Sequence, residues 1–287
     1  MTTLYIYSLI DNIKAQWGKV LRSAAIKKGW KVEQYSSRSE IEKDDILIIW
    51  NRHNDQDNVA KRFEAVGAKV FAIENPYIKT KDHKDWISVG IGYHNNLDYA
   101  PKLLDNGERF AQLGIEIKPW RQSGKHILFP TQAKNFNQAG LGWKDYAIPQ
   151  GADESILKKI RKITDRKIVF RLSPKSMNVP ISTENIGKNI EVSNNEFNRC
   201  SVNKDLENAW ATCLWTSNAA TESLLMGIPV FVCGPGVYMK DVCNMNLNDI
   251  ENPIMPDNRL QLFNRMAWAQ YNINEVESGF MFNCLLT

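Results

Sequence analysis

The sequence predicts an α/β protein of two units, each built on a largely parallel sheet. Short apolar runs alternate with segments of helical periodicity, the pattern of strands joined by helices that cover them. The pattern begins again near residue 119. A chain of 287 residues is long enough for two domains of ordinary size or one large one. No internal repeat, low-complexity tract or obvious linker interrupts it.

In the first unit, LYIYSL (4–9) reads as a strand. Ile13, Trp17, Val20, Leu21, Ala24 and Ala25 then share one helical face up to Gly29. KVEQY (31–35) and DILIIW (45–50) are strands, NVAKRFEAVG (58–67) a helix, and KVFAIE (69–74) the next strand. WISVGIGYHNN (86–96) reads as a strand entering a loop. In the second unit HILFPT (126–131) is a strand, and Asp153 opens the helix ESILKKIRKIT. KIVFRLSP (167–174) is a strand, and NIEVS (189–193) suits a short edge strand. Asp205–Thr212 reads as helical, then CLWT as a strand, Ala219–Met226 as a helix stopped by Gly227, and IPVFV as a strand. Two amphipathic helices, 257–270 and 274–286, close the chain. The expected domains are 1–118 and 119–271, with 272–287 packing back on the first.

At 43% hydrophobic and 24% charged residues the composition is that of a globular protein. The N-terminus lacks the basic region of a signal peptide, and no apolar run approaches the ~20 residues of a membrane span. The five cysteines include no C-x-x-C pair, and Cys213 and Cys233 fall in apolar runs as small core hydrophobes. A reducing, cytoplasmic setting follows, without integral membrane contact. Charge is uneven. Residues 1–118 carry 18 Lys+Arg against 16 Asp+Glu, residues 119–175 carry 12 against 4, and residues 176–287 carry 6 against 12. The middle segment suits a polyanion, an acidic membrane face or a phosphorylated ligand, and equally a solvated helix face.

In open α/β sheets ligands sit at the carboxyl ends of the strands, which selects candidate residues. In the first unit these are Ser8 to Asp11, Asn51, Arg52, His53, Glu74, Asn75 and Tyr93 to Asn96, with His94 and Asn95 among them. In the second they are Gln132 to Lys134, Arg171 to Lys175 with Ser173, Ser217-Asn218-Ala219-Ala220 and Gly234-Pro235-Gly236, and Glu222 lies one turn into the helix that follows Ser217. A helix starting at 219 offers unpaired N–H groups to an anion, and small residues let a diphosphate approach. A plain capped helix between core strands accounts for the same residues.

The run WTSNAATESLLMGIPV resembles the nucleotide-sugar-binding segment of GT-B-type glycosyltransferases. That resemblance implies two Rossmann-like domains facing across a cleft, with the sugar nucleotide on the C-terminal one. Ser217, Asn218 and Ala219 would hold the diphosphate and Glu222 the ribose. Arg171-Leu172-Ser173-Pro174-Lys175 is similar to the R-x-H-P segment of bacterial polysaccharide glycosyltransferases, with Ser173 in place of His. Arg171 and Lys175 would neutralise the leaving diphosphate, with Gln132 and Lys134 completing the donor site. The donor is read as a UDP-sugar, with no further cofactor and no metal.

Glycosyl transfer also requires a general base. Glu74 ends a buried strand where packing needs no carboxylate, and AIENPY is similar in position to the strand end that carries the base of phage DNA-base glucosyltransferases. His94 is the alternative base, and Asn51, Arg52, His53 and Asn95 would contact the acceptor. Asp55-Gln56-Asp57 matches the metal-binding D-x-D of GT-A enzymes but reads as a helix start. No His/Cys cluster, G-x-S-x-G elbow or P-loop occurs. Ala267, Gln270, Glu275 and Gly279 resemble a pattern near the end of phage-encoded proteins. An amphipathic helical hairpin explains most of them as well. The leading expectation is a glycosyltransferase whose acceptor is a 5-hydroxymethyl pyrimidine of duplex phage DNA. The alternatives are a lipopolysaccharide or capsule glycosyltransferase and a non-catalytic sugar- or nucleotide-binding protein.

Overall fold

The computed structural model describes residues 1–7, 12–52, 55–93, 96–97, 107–131, 151–173, 187–193, 202–234 and 238–286. The chain divides into two compact units, one drawn from residues 1–115 and 263–287, the other from residues between 116 and 262. The first begins with β1 (Thr3–Tyr7), α1 (Asn12–Lys27), β2 (Lys31–Gln34), β3 (Ile46–Trp50), α2 (Asp55–Ala65), β4 (Lys69–Glu74), β5 (Trp86–Ile91) and α3 (Glu108–Gln112). The second contains β6 (His126–Pro130), α4 (Ala152–Ile163), β7 (Lys167–Arg171), β8 (Ile190–Val192), α5 (Asn203–Leu206), β9 (Ala209–Leu214), α6 (Ala219–Leu225) and β10 (Val230–Val232). Helix α7 (Arg259–Trp268) carries the chain back to the first unit, which ends with β11 (Gln270–Asn272), α8 (Ile273–Glu277) and α9 (Phe280–Leu286).

The first sheet has the order β11-β5-β4-β3-β1-β2. Strands β1 to β4 run parallel, whereas β5 is antiparallel to β4 and β11 antiparallel to β5. Strand β3 is buried at all five residues because the sheet is covered on both faces. Ile46, Ile48 and Trp50 join Trp17, Leu21 and Ala24 of α1 in one core. Leu47 and Ile49 join Val59, Ala60 and Phe63 of α2 in the other. Each fully buried aliphatic side chain contributes roughly 1.5–3 kcal/mol.

The end of the chain departs from the expected pair of helices. Strand β11 interrupts them, and its register sets Gln270 opposite Ser88 and Asn272 opposite Trp86. The fully buried Gln270 side chain accepts from the Ile78 N–H at 2.9 Å and donates to the Ile78 carbonyl at 3.2 Å. Arg109 of α3 donates to the carbonyls of Ala267 and Gln270, both at 2.6 Å, and bidentately to Glu275 at 2.6 and 2.9 Å. Glu275 also closes a capping box with Asn272 at the start of α8. Gly279, at φ +80°, turns the chain from α8 into α9. The Ala-Gln-Glu-Gly pattern is therefore a clamp that docks the terminal segment through one buried cation.

The second sheet, β10-β9-β6-β7-β8, is parallel throughout. The expected helix over 205–212 is α5 followed by β9, whose six residues are all buried. A strand buried on both faces shows an unbroken apolar run, and periodicity cannot separate that from a buried helix. Ile156, Leu157 and Ile160 of α4 pack over Ile127, Phe129, Ile168, Phe170 and Cys213. Gly227 ends α6 at φ +72°, and a Cβ there would fall 2.0 Å from the Pro119 carbonyl oxygen, so only glycine fits.

Candidate functional site

In the second unit a cavity of about 800 Å³ lies at the carboxyl ends of β9 and β10. Its walls include Trp215, just past the end of β9, and Val232 and Cys233 at the end of β10. Helix α4 contributes Ala152, Ser155, Ile156, Lys159, Lys162 and Ile163, which recur at helical spacing and so share one face. Asn246 and Asn248 close the opposite side. The start of α4 already carries Asp153 and Glu154, so its dipole is met by acids of its own first turn. The positive charge of the cavity therefore comes from the lysines.

Those two lysines stand apart from the other cations of the basic segment. Arg121 donates to the carbonyls of Leu206 and Ala209. Lys158 pairs with Glu154 at 2.6 Å, Arg166 with Glu251 at 2.9 Å, and Lys167 with Glu191. Arg161 donates to the carbonyls of Arg166 and Lys188, and Arg171 pairs with buried Asp205. Among the described residues of 119–175, Lys125, Lys159 and Lys162 are the cations for which neither a hydrogen bond nor an ion pair is formed. Two of the three line the cavity. Burial pushes the thiol of Cys233, beside Lys159, up to about 11, so it favours the protonated form at neutral pH.

Ser217 follows Trp215 by two residues. Asn218 is exposed, while Ser217, Ala219 and Glu222 are half-buried, so the start of α6 is not sealed inside the unit. The Ser217 hydroxyl accepts from the Ala219 N–H at a long 3.3 Å, and Asn218 makes no side-chain cap. Ser223, one turn on, donates to the Ala219 carbonyl at 2.7 Å and pairs with Thr212 at 2.9 Å, which ties α6 to β9. At the neighbouring strand ends the Ser173 N–H donates to Thr131 Oγ1 at 2.8 Å. Arg171, by contrast, is 7% exposed, and Asp205 meets its charge while also accepting from Ser193 at 2.7 Å. In this structure it serves the interior of the unit.

In the first unit Asn51 and Glu74 come together. Trp50 pairs with Ile73 in the register, and the Asn51 N–H donates to the Ile73 carbonyl at 2.9 Å, which sets Asn51 beside Glu74. Asn51 adopts φ +62°, a left-handed conformation uncommon outside glycine, and its Oδ1 is buried without a hydrogen-bond partner. Both features concentrate at functional sites. One carboxylate oxygen of half-buried Glu74 accepts from the Asn75 N–H at 2.9 Å and from its amide at 2.6 Å. Arg52 is a buried hub: it donates to Asp57 at 2.9 Å, to both oxygens of Glu64 at 2.7 and 2.8 Å, and to the Gly92 carbonyl at 2.9 Å. Asp57, within α2, also meets Lys61 at 2.6 Å. Burial works to raise the Asp57 carboxyl, but hydrogen bonds from Lys61 and Arg52 outweigh it and hold the group below its usual range. The D-x-D is thus a helix start built into an ion-pair network. Ser8 to Asp11, His53, His94, Asn95, Gln132 to Lys134, Pro174, Lys175, Pro235 and Gly236 lie outside the described residues.

Sequence reasoning missed Lys159, Lys162, Trp215, Asn246 and Asn248. The helical spacing of the two lysines was legible. What hid them was that Lys158 and Arg161 share the same run, and only the fold tells paired cations from unpaired ones.

Two mainly parallel sheets in separate units, with the chain returning to the first, give the fold of GT-B-type glycosyltransferases. Two solved structures share it along their whole length. One is the β-Kdo 2,7-transferase of Thermosulfurimonas dismutans KpsC, at 17% identity and TM-score 0.58, covering 99% of this chain and 100% of that one. The other is the β-Kdo 2,4-transferase of the same KpsC, at 13% identity and TM-score 0.58, covering 99% and 98%. No protein-family model and no curated protein matches the sequence. Among the described residues no cluster of three or more His, Cys, Asp or Glu suits a metal, and no helix is long and apolar enough to cross a membrane.

Proposed function

We propose that the protein is a nucleotide-sugar glycosyltransferase whose donor occupies the cavity at the β9 and β10 ends. The carrying observation is that this cavity gathers Lys159 and Lys162, which form neither a hydrogen bond nor an ion pair among the described residues, beside the indole of Trp215. A nucleoside diphosphate supplies the two matching features, concentrated negative charge and a flat ring. Ser217 to Ala219 take part of the diphosphate, and Glu222 accepts from the ribose hydroxyls. Fixed lysine charge stabilises the departing diphosphate, so the step runs without a metal. On the first unit Glu74 removes the proton of the acceptor hydroxyl as that oxygen attacks the anomeric carbon, and Asn51 orients the hydroxyl through its Oδ1.

The acceptor is a hydroxyl of a glycan. The likeness to two Kdo transferases favours this assignment. The second reading, a hydroxymethyl pyrimidine in duplex DNA, drew on the basic 119–175 segment, and most described cations of that segment are committed to protein partners. A salt-titrated gel shift separates the two, since a DNA enzyme binds duplex at ~0.15 M salt with a steep salt dependence.

The test of the donor site is a thermal-shift panel of UDP-, GDP-, ADP- and CMP-sugars. One class should raise the melting temperature by mass action, and the shift should vanish in Lys159→Ala/Lys162→Ala. A full shift in that double variant would place the donor elsewhere. Glu74→Gln should keep the donor shift and lose transfer.

A further inference from the structure

The first unit holds a second cavity, of about 580 Å³, built by α3 and the terminal segment. This volume is within the ~300–1,000 Å³ of small-molecule sites. One wall is Arg109, whose charge is already answered bidentately by Glu275 and which lies 5.2 to 5.7 Å from the ring centroids of Trp268, Tyr271 and Phe280. Glu108 adds a further carboxylate to the lining. Taken together the charged groups lean negative, which disfavours an anion. Phe280, which also lines the cavity, is nevertheless 36% exposed. Around it stand the exposed amides of Gln112 and Asn274, whose side chains make no hydrogen bond among the described residues.

We infer that this cavity binds a neutral pyranose unit of a glycan. A sugar ring has an apolar C–H face and a rim of vicinal hydroxyls that both donate and accept. An aromatic ring meets the first, and planar amides, which also donate and accept, meet the second. The site lies within the first unit and does not depend on the donor cavity, so it stands or falls without the transfer reaction.

The experiment is saturation-transfer NMR and calorimetric titration of the full chain with maltotriose, cellotriose and mannotriose, with trigalacturonic acid as the anionic control. At least one neutral probe should bind in the range of about 1 mM, and Gln112→Ala/Asn274→Ala should weaken it about tenfold. The melting temperature should stay unchanged, because both residues are exposed. Phe280→Ala should lose the ring contact and weaken the same probe. The inference is overturned if no neutral probe binds at about 10 mM, if the double variant binds like the parent, or if trigalacturonic acid binds more tightly.

Discussion

In the second unit Lys159 and Lys162 reach a cavity where, among the described residues, no carboxylate pairs with them. In the first unit Arg109 also stands at a cavity wall, but Glu275 and two backbone carbonyls have already taken its donors. Both walls carry cations, yet among the described residues only the lysines of the second unit are left without a carboxylate or carbonyl partner. A cation bound by carboxylate and carbonyl groups acts as a fastener, and its effect is felt in stability. One left to water is held ready for an anion, and its effect is felt in binding.

The largest expected effect tests the fastener side. Arg171→Ala leaves Asp205 buried without its counter-charge, and breaking a buried pair from one side costs roughly 3–5 kcal/mol. Urea unfolding should show this as a lower midpoint with the slope preserved. A loss below about 1 kcal/mol would mean that Arg171 is held loosely enough to serve a ligand. Lys159→Ala/Lys162→Ala should do the opposite, leaving the urea midpoint in place while abolishing the donor shift. If the double variant unfolds early instead, the lysines are structural and the contrast between the cavities fails.

The smallest effect is a pH dependence beneath the same ion pair. His126 lies under the Asp205 carbonyl at 2.8 Å, and burial holds its pKa below the usual histidine value. The folded state thus favours the neutral ring, while the unfolded chain takes up a proton below about pH 6.5. Stability present above that pH should be lost progressively as pH falls through it. Unfolding midpoints between pH 5 and 8 should slope less in His126→Gln than in the parent, and equal slopes would remove His126 from the account.

Several elements were legible because they rest on local pattern. The alternation in DILIIW, NVAKRFEAVG and KVFAIE yields β3, α2 and β4, and the strand-end rule places Asn51 next to Glu74. AWATCL was misread because a strand buried on both faces carries no period of two. QYN was missed because three residues are too few for any period, and β11 exists only where β5 offers it an edge. The pairing of the cations in 119–175, twelve against four acids, was hidden for a related reason. Their partners Glu191, Asp205 and Glu251 come from the acidic segment that follows.

By itself, then, the sequence determined the α/β class, the two-unit pattern and several of the strand ends, since burial periodicity and glycine stops act over a few residues. The tertiary structure alone decided which charges are left for a ligand. Arg109 and Glu275 are 166 residues apart and Arg171 and Asp205 are 34 apart, and no local pattern records a pairing that exists only once the chain has folded.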